Sequence, residues 1–257
     1  LKDKHSNMEH FYRTVADSFP HELDIKQREA LAEQKLIREY LDTNEGFFLE
    51  IGANDPCLNS QTYHLEQLGW NGILVEPIPE LCNKLSKERP SSIVLECACS
   101  EPGSPDTAEF QIAEESGKST LSASFLDKRV KVKSTLTVDI RTVDSILSEH
   151  LQGSLSFVSV DVEGAQLEVF KGFTLQDWEP NLILVEDNLL DLDTHRLICS
   201  QGYELVKRTV FNNWYVPKHA PRPKTCKKED AILKWKIRRV PFRKLRYNLR
   251  KLIGKGI

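Results

Sequence analysis

From residue 47 to residue 202, short apolar runs alternate with stretches of helical spacing. FFLEI (47–51), NGILV (71–75), SIVLECACSE (92–101), SFVSV (156–160) and NLILVE (181–186) are of strand length, and each leads into a loop. Continuous apolar runs of this length suit strands covered on both faces, as in a parallel sheet. Between them, SQTYHLEQLG (60–69), IPELCNKLSKERP (78–90), AQLEVFKGF (165–173) and LLDLDTHRLICSQG (189–202) predict helices, two of them closed by Gly69 and Gly202. The alternation predicts an α/β fold with a doubly wound, mostly parallel sheet. Residues 9–43 carry Leu31, Leu36, Ile37, Tyr40 and Leu41 at helical spacing and predict N-terminal helices. Residues 101–135, rich in Ser, Gly and Lys, break the rhythm and predict a hairpin or flap. TLTVDI (135–140) and the helix TVDSILSEH (142–150) restore it. YELVKRTVFNNWYVP (203–217) predicts two closing antiparallel strands around a turn at Asn212-Asn213.

Composition and charge divide the chain further. The 257 residues suffice for one α/β domain with a full core and additions at the ends. With 40% apolar and 28% charged residues the composition is that of a globular protein. No apolar run approaches the roughly 18 residues of a membrane-spanning helix. The net charge is −3, but residues 220–257 hold fourteen bases against Glu229 and Asp230, net +12, which leaves −15 for the remainder. The expected organisation is a helical extension over 1–44, the α/β domain over 45–219 and a basic tail over 220–257. The start, LKDKHSNMEH, lacks both an initiator Met and an apolar signal region, as expected of a piece of a longer or processed chain. Six cysteines without a CxxC pair read as buried free thiols in a reducing compartment, so a cytoplasmic location is expected.

In an open parallel sheet, ligands bind beyond the carboxyl ends of the strands. Glu50, Gly52, Asn54 and Asp55, then Glu76, Ala98, Asp161 with Glu163, and Glu186-Asp187-Asn188 all fall at predicted strand ends. Gly52 permits a sharp turn and close approach of the backbone to a ligand. Glu76, ending the second strand, is placed to accept hydrogen bonds from a ribose diol, as in dinucleotide-binding folds. That keeps a nicotinamide-dependent oxidoreductase open as an alternative. GANDP, however, lacks the later glycines of a pyrophosphate loop. An acidic, phosphate-free loop suits a cationic sulfonium better.

FLEIGAND, GILVEP, ECACSE and FVSVDVEGAQLEVFKGF, in this order and spacing over roughly residues 45–217, resemble the FkbM-type methyltransferases. The resemblance implies a class I methyltransferase (Rossmann-like) fold with a seven-stranded sheet. It implies S-adenosylmethionine as cofactor and methylation of a hydroxyl oxygen, often on a sugar in a glycan or glycosylated metabolite. By position, Glu50, Gly52, Ala53, Asn54 and Asp55 would hold the methionine part of the cofactor. Glu76 and Pro77 would lie at the ribose, and the Cys97-Ala98 turn beside the adenine. One residue departs from the pattern: Pro56 stands where the family usually has glycine. A methyltransferase-like domain without catalysis, serving as a binding module, is a further alternative.

A sugar hydroxyl is a weak nucleophile, so its proton must be removed by a base or with the help of a metal. Asp161 and Glu163 are the candidate bases nearest the expected methyl group, and His195 is a third. Asp161, Asp187 and Asn188 together form a possible hard-oxygen site for Mg²⁺ or another divalent cation. The other reading has Asp187-Asn188 capping the following helix. In the tail, Phe242, Leu245, Leu249, Leu252 and Ile253 fall at helical spacing among Arg and Lys. A basic amphipathic helix over 232–257 fits membrane-surface contact or a lipid-linked substrate, and equally packing against the acidic body. With few aromatics in the tail and an acidic body, nucleic acid is not the expected partner.

Overall fold

The computed structural model describes residues 11–58, 60–114, 119–121, 131–187, 189, 192–209 and 212–252. Two strands form its centre: β1 (Phe47–Ile51) and, after a long excursion, β7 (Leu155–Val160), both buried along their whole length. Their sequences FFLEI and LSFVSV have no alternating polar face, because helices cover both sides. The remaining strands of this sheet are β2 (Asn71–Val75), β3 (Ser92–Leu95), β8 (Leu182–Glu186), β9 (Tyr203–Arg208) and β10 (Asn212–Pro217). Their order is β3-β2-β1-β7-β8-β10-β9. All pairings are parallel except those of β10, which runs antiparallel to both β8 and β9. The chain order therefore switches direction between β1 and β7, and a cleft opens there at the carboxyl ends.

Helices clothe the sheet. Before β1 lie α1 (Phe11–Ala16) and α2 (Ile25–Leu41), the latter opened by a capping box between Asp24 and Gln27. Between strands run α3 (Tyr63–Glu66), α4 (Pro79–Glu88), α5 (Val143–His150), α6 (Gln166–Lys171), α7 (Leu175–Trp178) and α8 (Asp193–Ser200). Two apolar layers result. One holds Leu49, Ile73, Val158 and Ile183 with the α5 residue Ile146; the other holds Phe48, Leu74, Phe157 and Leu184 with Leu36 and Ile37 of α2. The N-terminal helices thus complete the core of the main domain.

The sequence expectation of one strand over 92–101 is corrected. The chain bends at Glu96-Cys97, and β4 (Ala98–Cys99) leaves the main sheet to pair with β6 (Val132–Arg141). β6 pairs in turn with β5 (Thr107–Ala113), so the predicted hairpin forms. Asn212 and Asn213 are not a turn but open β10, because the Asn212 side chain donates to the buried Glu33 carboxylate (2.7 Å). The predicted 60–69 helix shrinks to four residues, since the Glu50 carboxylate takes the Gln61 N–H and the Ser60 and Thr62 hydroxyls. At the C-terminal end, α9 (Lys227–Arg238) packs on β9 and α10 (Val240–Leu252) follows it.

Candidate active site

The loop after β1 is shaped by its backbone. Gly52 has φ 83°, and its N–H and that of Ala53 both donate to the Val75 carbonyl (2.9 and 3.1 Å). A Cβ at Gly52 would collide with the Asp161 carbonyl oxygen, so only glycine lets the β1 and β7 ends approach this closely. Asn54 also has a positive φ, 50°, which turns its N–H onto Glu76 Oε2 (2.9 Å). Glu76 Oε1 accepts from the Ile78 N–H (2.9 Å). Burial raises the Glu76 pKa to about 6 while these two N–H donors oppose the shift. The carboxylate is thereby fixed in place at the end of β2, with lone pairs left for a diol.

A cavity opens above these residues, at the ends of β1 and β2. Gly52, Asn54, Glu76, Pro77, Cys97 and Ala98 line it, together with Asp161 and Glu163. Its apolar wall was not foreseen. Ile78 and Leu81 come from the start of α4, and Phe110, Ser119 and Leu121 from the hairpin. Phe110 and Ala98 belong to a small apolar cluster of their own. Thr120 ties this hairpin to the site, for its hydroxyl donates to the Glu163 carbonyl (2.8 Å) and its backbone pairs with Gln111.

A second cavity, about 1420 Å³, shares Ile51, Gly52, Asn54, Asp161 and Glu163 with the first. Carboxyl groups dominate it: Glu29 and Glu33 from α2, Glu50, Asp161, Glu163 and Glu186, with Lys26 the single base among the described lining residues. Asp161 and Glu186 are hydrogen-bonded to each other, and burial together with neighbouring carboxylates pushes the Asp161 pKa well above the usual range. Glu186 is raised as well, first by burial and then by Glu33. Asp161 Oδ1 is buried with no hydrogen-bond partner, at the junction of the two cavities.

Several sequence expectations fall elsewhere. Asp55 does not line either cavity. It accepts from the N–H groups of Cys57 and Leu58 and pairs with Lys84 (2.7 Å), which keeps its pKa below the ordinary value although its slight burial works the other way. Glu50 lines only the second cavity, and its oxygens hold the 60–62 loop. Ala53 also lines only the second cavity. His195, on α8, turns its Nδ1 to the Tyr215 hydroxyl (3.3 Å) and its ring to the Cys199 sulfur, away from both cavities, and burial lowers its pKa. Asp187 Oδ1 accepts from the Leu189 N–H (2.8 Å), an Asx turn instead of a ligand position. Asn188 lies outside the described residues. Among the described residues no three His, Cys, Asp or Glu side chains are grouped to hold a metal ion, so the expected cation site does not assemble there. Pro56, the departure in the loop, is buried, lines neither cavity and offers its carbonyl to Arg89 (3.0 Å).

A family model described as the methyltransferase FkbM domain matches residues 50–205. No curated protein matches the chain. Among solved structures it is similar to a TehB-like SAM-dependent methyltransferase from Corynebacterium glutamicum (8% identity, TM-score 0.40, covering 72% of this chain and 87% of that one). It is also similar to a precorrin-6y C5,15-methyltransferase from Geobacter metallireducens (12%, 0.40, 79% and 94%). A third is the SAH-bound methyltransferase PaMTH1 from Podospora anserina (10%, 0.41, 80% and 86%). Because the family match takes in more than half of the chain, and the strand order and the cavity at the sheet's switch point accord with it, the chain belongs to the FkbM methyltransferase family and is an S-adenosylmethionine-dependent methyltransferase of class I fold.

Proposed function

We propose that the acceptor is a sugar hydroxyl, in a glycan or a glycosylated metabolite, methylated on oxygen. The observation that carries this reading is the carboxyl-lined second cavity joined to the cofactor cavity through Asp161 and Glu163. Carboxyl oxygens are strong hydrogen-bond acceptors, so a cavity lined by them suits a polyol, which offers many O–H donors.

The cofactor supplies an electrophilic methyl group on a cationic sulfonium. Glu76 would hold the ribose hydroxyls, and Ile78, Leu81, Phe110 and Leu121 would enclose the adenine. Asp161 and Glu186 hold a proton between two buried carboxyls, and the charge left on the pair takes up the acceptor hydroxyl's proton. A cation beside Asp161 favours its ionised form and so tunes the pair toward that role. Positioning of acceptor oxygen and methyl carbon supplies much of the remaining acceleration.

The test is methyl transfer from labelled S-adenosylmethionine to a panel of free and oligomeric sugars, amines and carboxylic acids. Label on a sugar oxygen is the expected result; label confined to nitrogen or carboxylate acceptors would overturn the reading. Asp161→Asn should lower kcat by about 10²–10⁴-fold while S-adenosylhomocysteine still binds. Undiminished turnover would remove Asp161 as the base.

A further inference from the structure

Helix α10 turns its apolar stripe away from the protein. Phe242, Leu245 and Leu249 fall at i, i+3 and i+7, on one helical face. They are 70%, 59% and 48% exposed. The body takes the opposite face, which carries Val240, 2% exposed, and Arg243, whose charge acts on Arg208 and Lys236. A surface helix ordinarily does the reverse and buries its apolar stripe on the core.

Charge decides what covers such a face. Residues 231–257 contain ten bases and no acid, and the exposed Lys244 and Arg246 lie on the same helix as the stripe. A second copy of this helix would bring like charges together. An anionic bilayer offers acyl chains to Phe and Leu and headgroup charge to Lys and Arg at once. Thirteen residues give a helix of about 20 Å, shorter than the roughly 30 Å hydrocarbon core, so it lies in the surface and does not span it. We propose that α10 docks the catalytic domain peripherally onto an anionic lipid surface through Phe242, Leu245 and Leu249. The inference does not depend on the acceptor.

The experiment is co-sedimentation of the full chain with vesicles of phosphatidylcholine alone and of phosphatidylcholine mixed with phosphatidylglycerol. Binding to the anionic vesicles at least about tenfold tighter than to the neutral ones, and weakening as salt rises, is expected. The double variant Phe242→Glu/Leu245→Glu changes only exposed positions. It should lose about tenfold or more of the vesicle binding while its affinity for S-adenosylhomocysteine stays at the wild-type value, which shows that it folds. Lys244→Glu should cost about fivefold. No binding to anionic vesicles, equal binding to neutral ones, or full binding by the double variant would each overturn the proposal. So would a dimer in sedimentation velocity that Leu245→Glu dissociates, since the face would then belong to a second copy.

Discussion

Gly52 and Glu76 hold the cofactor end of the site by different means. At Gly52 the constraint is steric: the left-handed φ of 83° and the Asp161 carbonyl leave no space for a side chain. Gly52→Ala should therefore destabilise the fold by about 2 kcal/mol or more, and abolish measurable S-adenosylhomocysteine binding. Thermal unfolding and calorimetry check the two effects; a variant that binds normally would show that the β1–β7 approach is not needed. At Glu76 the constraint is electrostatic. Its carboxylate form is the one proposed to accept the ribose diol, and burial has raised its pKa to about 6. Protonation puts a donor where an acceptor is required, so cofactor affinity should be flat above about pH 7 and fall as pH drops through 6. In Glu76→Gln that decline should disappear, and a decline that persists would assign it to another group. The places of both residues, just after β1 and β2, were legible in the sequence from the apolar runs that precede them. Asp55 was not, because its partner Lys84 is 29 residues away and nothing local distinguishes a loop-capping Asp from a ligand-binding one.

The elements around the main sheet depend on contacts far apart in sequence, and these escaped sequence reasoning. Glu33 of α2 accepts from the Thr209 hydroxyl, Asn212 Nδ2 and Trp214 Nε1, joining residue 33 to strand β10. It was overlooked among the many charges of the N-terminal segment, although an acid on the apolar side of a helix was the available signal. Glu33→Ala would leave the buried Asn212 amide without this partner, leave Trp214 Nε1 only its longer bond to the Thr209 hydroxyl (3.3 Å), and open one wall of the second cavity. A loss of about 2–4 kcal/mol in denaturant unfolding is expected, with a raised KM for the acceptor. Near-wild-type stability would mean that water replaces the carboxylate at no cost. The tail is tied in similarly. Lys207 of β9 and Glu229 of α9 form a buried pair at 2.9 Å, and Glu229 also takes the Tyr12 N–H. Burial raises the Glu229 pKa, but the Tyr12 N–H and Lys207 outweigh it and hold the pKa below its ordinary value. The stability it lends is therefore present at neutral pH and declines as pH falls through the native pKa. Glu229→Gln should flatten that decline, and Lys207→Met should cost about 3–5 kcal/mol at pH 7. Acid-unfolding curves that superimpose for Glu229→Gln and wild type would contradict the assignment.

Across the whole molecule, the doubly wound sheet, the direction switch and the placing of the site at the strand ends were readable from the run of apolar segments alone. Strand order is constrained by right-handed crossovers and short connections, so few arrangements fit five such runs. The two cavities were not readable in full. The hairpin wall at Phe110 and Leu121 comes from a segment with no periodic or motif signal, and the helical spacing of 9–43 did not say that Glu29 and Glu33 line a cavity. The same holds for the tail: its amphipathic pattern was plain in the sequence, while the outward direction of its apolar face required the structure. The central claim is that the cavity between β1, β2 and β7 takes S-adenosylmethionine, with Glu76 at the ribose. Isothermal titration of wild type and Glu76→Ala with S-adenosylhomocysteine, and separately with NAD, tests it most directly. The account predicts one-to-one binding of S-adenosylhomocysteine, weakened about 10–100-fold in Glu76→Ala by loss of a charge-assisted pair of hydrogen bonds, and no binding of NAD. Binding of NAD with none of S-adenosylhomocysteine, or an affinity unchanged in Glu76→Ala, would contradict it.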